Sequence, residues 1–212
     1  MSVLSTDISG SEHAFLELVY HASEPYNNFV YASRDLASQV QRYLFDKRIC
    51  EFAPPHVWIV REGSEVLGMV AALSGDDLQR CRLRAALAIA KSTVLRDHPA
   101  INRRLQLASQ ALLRVQPSDF YISQLAVHNA ARNQGIGKFL LEHVEREARG
   151  RNCARIALEV SPLSKAAVRL YQRQSYRLLE SRRVTDPDGA RSLEFLHMAK
   201  DLPMQTDPPG LG

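Results

Sequence analysis

The segment from Leu125 to Leu141, LAVHNAARNQGIGKFLL, constrains the fold more than any other part of the chain. An apolar run ends at Val127, a short polar loop follows, and a helix begins at paired glycines. Gly135 and Gly137 carry no Cβ, so oxygens of a ligand can approach the backbone amides closely. Those amides fall in the first helical turn, where donors lack partners within the helix and the dipole is positive. Arg132 and Lys138 add two cations. A doubly charged pyrophosphate is the natural guest of such a loop. Two familiar nucleotide loops do not fit. Lys138 is followed by Phe139 instead of Ser or Thr, and the glycines read GxG instead of GxGxxG.

The rest of the chain bounds the answer. Its 212 residues exceed the usual domain length, so one domain with an insertion is expected. An apolar share of 45% and a charged share of 24% exclude a disordered chain, a collagen and a disulfide scaffold. No apolar run is long enough for a membrane span, and Met1 to Gly10 lack the basic start and apolar core of a signal peptide. Cys50, Cys81 and Cys153 form no CxxC or Cys/His cluster, which argues for reduced thiols, no zinc and a cytoplasmic setting. The net charge of +4 is unevenly placed. Between Leu78 and Val115, eight basic residues face a single acid, Asp97, which makes that segment +7 and the remainder −3. Such a segment suits an anionic substrate, a phosphate-bearing cofactor or nucleic acid, or simply a pair of solvated helices.

Periodicity divides the chain further. Helices are expected from Glu12 to about His21, capped by Ser11, and from Ser33 to about Lys47, with a polar loop over Glu24–Asn28 between them. His56–Val60 and Val66–Leu73 read as a hairpin turned at Arg61–Ser64. Residues 76–115 break the strand rhythm with two helices, the first capped by Asp76 or Asp77 and the second beginning near Ala100 after His98-Pro99. Apolar residues fall almost all round the first of them (Leu78, Leu83, Leu87, Ile89, Val94), as in a helix that is well buried or packed on a partner chain. Beyond Asp119 the pattern is regular: strands over Phe120–Val127, Ala154–Val160, Tyr176–Val184 and Leu193–Lys200, with helices over Gly135–Arg149 and Ser164–Gln174. Residues 1–200 are thus read as one domain and residues 201–212 as a mobile tail.

The order LAV, then RxxGxG, then the helix KFLLEHVEREA resembles the acetyl-CoA signature of the GNAT superfamily of N-acyltransferases. A second motif follows. GNAT enzymes typically read LxV, an Asn four residues after the Val, AxxLY and a closing GF. Leu158 and Val160, then Ala167, Leu170 and Tyr171, keep that frame, while Ser164, Ser175 and Tyr176 stand where Asn, Gly and Phe are common. The resemblance covers Phe120 to about Tyr176 and leaves the insertion outside the family core. It implies an α/β fold with a mixed, twisted sheet, partly split after the LAV strand and flanked by helices on both faces. It also implies acetyl-CoA as co-substrate, without a metal. Leu125, Ala126, Val127, Arg132, Asn133, Gln134, Gly135, Ile136, Gly137 and Lys138 are the implied cofactor residues, joined by Ser164 and Ala167. Backbone groups of Leu125 and Val127 are expected to pair with the pantetheine, and one of their amides to stabilise the oxyanion.

Acyl transfer to an amine needs a base for the amine proton and an acid for the leaving thiolate. A phenol, with a reference pKa of roughly 10 against roughly 8.5 for a thiol, can protonate the sulfur if held beside it. Tyr171 resembles the family acid, and its bland alternative is a packing tyrosine at the sheet rim. Glu159 is twelve positions earlier, as in the ribosomal-protein N-terminal acetyltransferases; a strand carboxylate turned to solvent is the competing reading. The other family position for a base holds Tyr121, with Ser123 and Gln124 nearby to hold a relay water. His128 falls on the phosphate side of the strand end. The acceptor, a small-molecule amine or a peptide N-terminus, is expected to meet Glu24, Tyr26, Asn27 and Tyr31, the insertion and the final hairpin. The insertion either covers the acceptor channel, with Arg80 and Arg84 steering an anionic acceptor, or makes a homodimer contact. The rival from another class is a catalytically silent acyl-CoA-binding module; a nucleic-acid binder rests on the basic insertion alone.

Overall fold

The computed structural model describes residues 2–49, 51–91 and 99–203. Seven strands form one sheet: β1 (Val3–Ser5), β2 (Val57–Glu62), β3 (Glu65–Ser74), β4 (Asp119–Val127), β5 (Arg155–Val160), β6 (Arg177–Thr185) and β7 (Ser192–Asp201), in the order β1-β2-β3-β4-β5-β7-β6. The helices are α1 (Glu12–Ala22), α2 (Glu24–Val30), α3 (Arg34–Asp46), α4 (Gly75–Lys91), α5 (Pro99–Ala111), α6 (Ile136–Gly150) and α7 (Lys165–Arg173). The two-residue period of the strands sorts the core onto two faces. Val57, Ile59, Met69 and Ala71 pack under α1, α2, α3 and α5, while Trp58, Val60, Val70 and Ala72 pack with α6 and α7.

One pairing sets up the site. β4 and β5 run parallel, whereas every other neighbouring pair is antiparallel. Their ladder extends from Asp119/Arg155 to Ile122/Leu158 and stops, although β4 continues to Val127. The closed end is fastened by the buried Asp119 carboxylate, which accepts from Arg155 Nε at 2.9 Å, Arg155 Nη2 at 2.7 Å and the Gln116 amide at 2.8 Å. Beyond Ile122 the strands part, and a cleft opens through the sheet.

Several local expectations change. Glu24–Val30 is a helix, not a loop: Pro25 lies in the first turn, where its missing N–H costs no helical bond, and Phe29 and Val30 are buried. Ser11 does not cap α1 with its side chain; its Oγ accepts from Arg61 at 3.1 Å. Ser33 does cap α3, through the Leu36 amide. The amide of Asp77 donates to Ser74 Oγ at 3.2 Å, so Ser74 supplies the cap expected of Asp76 or Asp77. The expected tail begins too early. Asp201 pairs with Arg155 at the end of β7, and the buried Leu202 donates its amide to Ala154 O. Residues 204–212 of that tail lie outside the described residues, as do Cys50 and Val94.

Hydrogen bonds from its far end also tie the insertion to the sheet. Arg104 Nε meets Asp186 Oδ2 at 2.9 Å, joining α5 to the β6–β7 turn. His197 Nε2 lies 2.7 Å from Ala111 O, and the Leu113 amide donates to Glu159. Glu159 and His197 are paired neighbours on β5 and β7. The chain end of the insertion therefore rests directly on the strand that carries the expected base.

Candidate active site

The cleft leads into a groove of about 1,890 Å³. Gly135 adopts φ 83°, a left-handed conformation that side chains disfavour, and so turns the loop into α6. The first helical bond of α6 runs from the Phe139 amide to Gly135 O, leaving the amides of residues 136–138 directed out of the helix end. At Gly137 a Cβ would stand 2.9 Å from Leu170 Cδ2, so the glycine lets α6 and α7 pack closely here. Just past β4, the His128 amide donates across to Leu67 O of β3 at 2.8 Å. Strand alternation then turns the amides of Leu125 and Val127 toward the open side.

Eleven of the twelve residues expected at the cofactor border this groove: Leu125, Ala126, Val127, Arg132, Asn133, Gly135, Ile136, Gly137, Lys138, Ser164 and Ala167. Gln134 does not, because its side-chain amide folds back to Ala130 O at 3.1 Å. Sequence reading missed further cations on the groove wall. Lys165, Arg169 and Arg173 recur every four residues on α7, a helical stripe that the spacing alone signals. The groove's described lining holds seven Lys and Arg against three Glu. That excess suits a polyanion with several phosphates.

On the face of the sheet covered by α1 to α5, a second cavity of about 910 Å³ is walled by α2, α3, α4 and α5. Tyr26, Asn27 and Tyr31, three of the residues expected to meet the acceptor, line it, whereas Glu24 borders the groove instead. Asn27 is buried, and Tyr31 is raised to about 12 by burial. The insertion supplies much of the wall, from Cys81, Arg82 and Ile89 of α4 to Leu105 and Ser109 of α5. The guanidinium that faces this space belongs to Arg82 and not to Arg80 or Arg84. Arg80 is exposed and paired with Asp77 at 2.6 Å, and Arg84 is exposed. A helix turns by about 100° per residue, so neighbours two apart cannot share a direction. Of the apolar ring on α4, Leu78 is buried and Ile89 faces the cavity, while Leu83 and Leu87 lie outward at 63% and 53% exposure.

Groove and cavity meet at Glu159, alongside Ser123, Gln124 and Phe195, which border both. Glu159 shares the face of Tyr121, whose hydroxyl donates to its second carboxylate oxygen, while the Leu113 amide donates to the first. The two family positions for a base are therefore one hydrogen-bonded unit. Burial, and next the Glu159 charge, push the Tyr121 phenol well above its ordinary range, so it stays a donor. Ser123 Oγ donates to Ala71 O and Gln124 Oε1 accepts from Ser23, so both are already engaged. Tyr171 approaches from the other face and borders the groove, its ring 5.7 Å from that of Tyr176. Burial raises its phenol above the usual value. His128 is exposed at the strand end. Among the described residues, no group of three or more His, Cys, Asp or Glu is placed to hold a metal ion, and no helix is long and apolar enough to cross a membrane.

The profile of the acetyltransferase (GNAT) family matches residues 17–176. The chain belongs to the GNAT acetyltransferase family. Among curated proteins, none matches it by sequence. Solved structures do. An N-acetyltransferase from Staphylococcus aureus Mu50 superimposes with a TM-score of 0.71 at 12% identity, covering 93% of this chain and 100% of that one. A Bacillus subtilis acetyltransferase in complex with CoA gives 0.55 at 14% identity, covering 96% and 100%. A ribosomal-protein-alanine N-acetyltransferase from Brucella melitensis gives 0.56 at 16%, covering 94% and 99%. At such identities the likeness bears on the fold: a seven-stranded, partly parallel, open sheet flanked by helices.

Proposed function

We propose that the chain is an N-acetyltransferase that moves the acetyl group of acetyl-CoA to a primary amine by direct attack. The observation that carries this reading is the junction: a cationic groove and a separate, partly apolar cavity meet at one carboxylate, Glu159. The amides at the start of α6, with Arg132, Lys138 and the α7 cations, bind the pyrophosphate and orient the thioester toward the cleft. Leu125 or Val127 donates its amide to the oxygen of the tetrahedral intermediate. Glu159 takes the amine proton as the nitrogen attacks the carbonyl carbon, directly or through a water. Tyr171 gives its proton to the sulfur as the carbon–sulfur bond breaks, and the products are the amide and free CoA.

CoA release followed across amines, amino acids and peptides tests the proposal. Turnover with an amine, lost in Glu159→Gln and Tyr171→Phe, supports it. Tight acetyl-CoA binding with no turnover on any amine would establish the silent acyl-CoA-binding module instead.

A further inference from the structure

Resting on that reading, the charges in the acceptor cavity narrow the amine. Its walls are largely aliphatic and aromatic, with Val40, Leu44, Phe52, Ile89 and Leu105 among them. Three charged side chains interrupt this surface around the junction. The Arg82 guanidinium lies 3.8 Å from Glu51 and 5.5 Å from the centre of the Tyr121 ring, beside the phenol that donates to Glu159. Arg82 thus pairs with Glu51 and acts on Glu159 through space, past the Tyr121 ring. Lys91, the other cation of the described lining, is nine residues further along α4, about 13 Å by helical rise, and exposed. Glu51 is the less satisfied acid. Arg82 is its ion-pair partner among the described residues, and burial pushes its carboxyl above the ordinary range despite that cation. Two part-buried acids, with one guanidinium near them in the described lining, attract one more positive charge and repel a negative one.

We propose that the acceptor is a small, singly cationic amine with an apolar body and no anionic group. Its ammonium is received between Glu51 and Glu159, and its body packs on α3, α4 and α5. The cavity, about 910 Å³, falls in the range of small-ligand pockets. An acceptor carrying a carboxylate or phosphate brings a second negative charge to a place already short of cations. This reverses the expectation that the insertion's arginines favour an anionic acceptor.

The test uses three probes with the intact wild-type chain: 2-phenylethylamine, phenylalanine, which differs from it by a carboxylate, and an alanine-initiated tetrapeptide. Calorimetric titration in the presence of CoA reads binding without requiring acetyl transfer. 2-Phenylethylamine is expected to bind about tenfold more tightly than phenylalanine or the peptide. Glu51→Gln is expected to narrow that gap while leaving acetyl-CoA binding intact. Equal or tighter binding of phenylalanine or the peptide overturns the proposal, as does no binding of 2-phenylethylamine at millimolar concentration. An amine that binds but is never acetylated removes the proposed activity and leaves this inference standing. Efficient acetylation of the amino acid or peptide in preference to the amine does the opposite.

Discussion

The groove runs through the sheet from α7 on one face to α1 and α2 on the other, the proposed acceptor cavity lies on the second face alone, and the two are built in contrasting ways. Twelve residues of the groove's lining come from a single stretch, residues 125–138, and seven more from α7 opposite. The cavity draws residues from Ala22 to Phe195, through five helices and three strands. Their charge differs as well: seven cations against three acids line the groove, while the described cavity lining holds two of each. A polyphosphate needs many backbone donors and a broad positive field, which a helix start and a cationic helix stripe supply locally. An acceptor pocket needs shape and a few placed charges, which only tertiary packing supplies.

The comparison breaks most decisively at the junction. Glu159→Gln is expected to lower kcat/KM by about a hundredfold or more, because it removes the base; the amide oxygen can still accept from Leu113, and the Tyr121 hydroxyl must turn to accept from the new NH2. Tyr171→Phe is expected to lower kcat by a similar factor with acetyl-CoA affinity nearly unchanged. Burial holds the Tyr171 phenol above its ordinary value, so the wild-type rate should not decline through loss of that proton below about pH 10. A kcat–pH profile of wild type and variant checks both statements. A Tyr171→Phe loss confined to KM would remove the acid role.

Breaking the groove alone comes next. Valine at Gly137 puts a branched side chain against Leu170, and valine at Gly135 must adopt φ 83°. Either change is expected to abolish the rise in melting temperature that acetyl-CoA causes, which for a saturating ligand follows its concentration relative to Kd. The amine titration should survive if the two cavities are separate. Normal acetyl-CoA binding in both variants would mean that the donor site lies elsewhere.

A smaller effect sharpens the acceptor side. Burial raises the Glu51 carboxyl in the folded chain, with Arg82 pulling the other way. A raised folded value means that this group's contribution is most favourable below the unfolded pKa and is lost as pH rises through the folded one. At neutral pH the wild type thus carries an electrostatic strain that Glu51→Gln relieves. The variant is expected to melt slightly higher than wild type at pH 8 and no higher at pH 4, while losing amine affinity. A lower melting temperature at pH 8 would show that the Arg82 pairing outweighs burial.

How much of this was legible follows the same division. The strand–loop–helix from Leu125, the LEV strand and the Tyr171 helix could be read because hydrophobic period and glycine spacing are local. The frame even survives where residues change: Ser175, standing where the family commonly has Gly, holds φ 66°, the left-handed turn that favours glycine. Glu24–Val30 was misread because EPYNN has the composition of a turn, although Phe29 and Val30 bury a helical face. Glu51 gave no signal at all. It follows α3 by five residues and becomes part of a site only when α4 brings Arg82 beside it. Choosing Arg80 and Arg84 over Arg82 was an error of helical phase, and phase is fixed by which side of α4 meets the sheet.

That phase leaves one face of the insertion to explain. Leu83 and Leu87 are one helical turn apart on the outside of α4 and border neither cavity. The inner face already accounts for the insertion's part in the acceptor wall, so the outer pair is free to change without touching the site. Leu83→Glu with Leu87→Glu is expected to alter kcat/KM less than twofold and to leave acetyl-CoA and amine binding intact. If this face pairs with a second copy, the double change converts the protein to monomer in sedimentation at unchanged activity. A large loss of activity in the double variant would mean that α4 acts on the cavity through its outer face, and the separation between cavity wall and outer surface would fail.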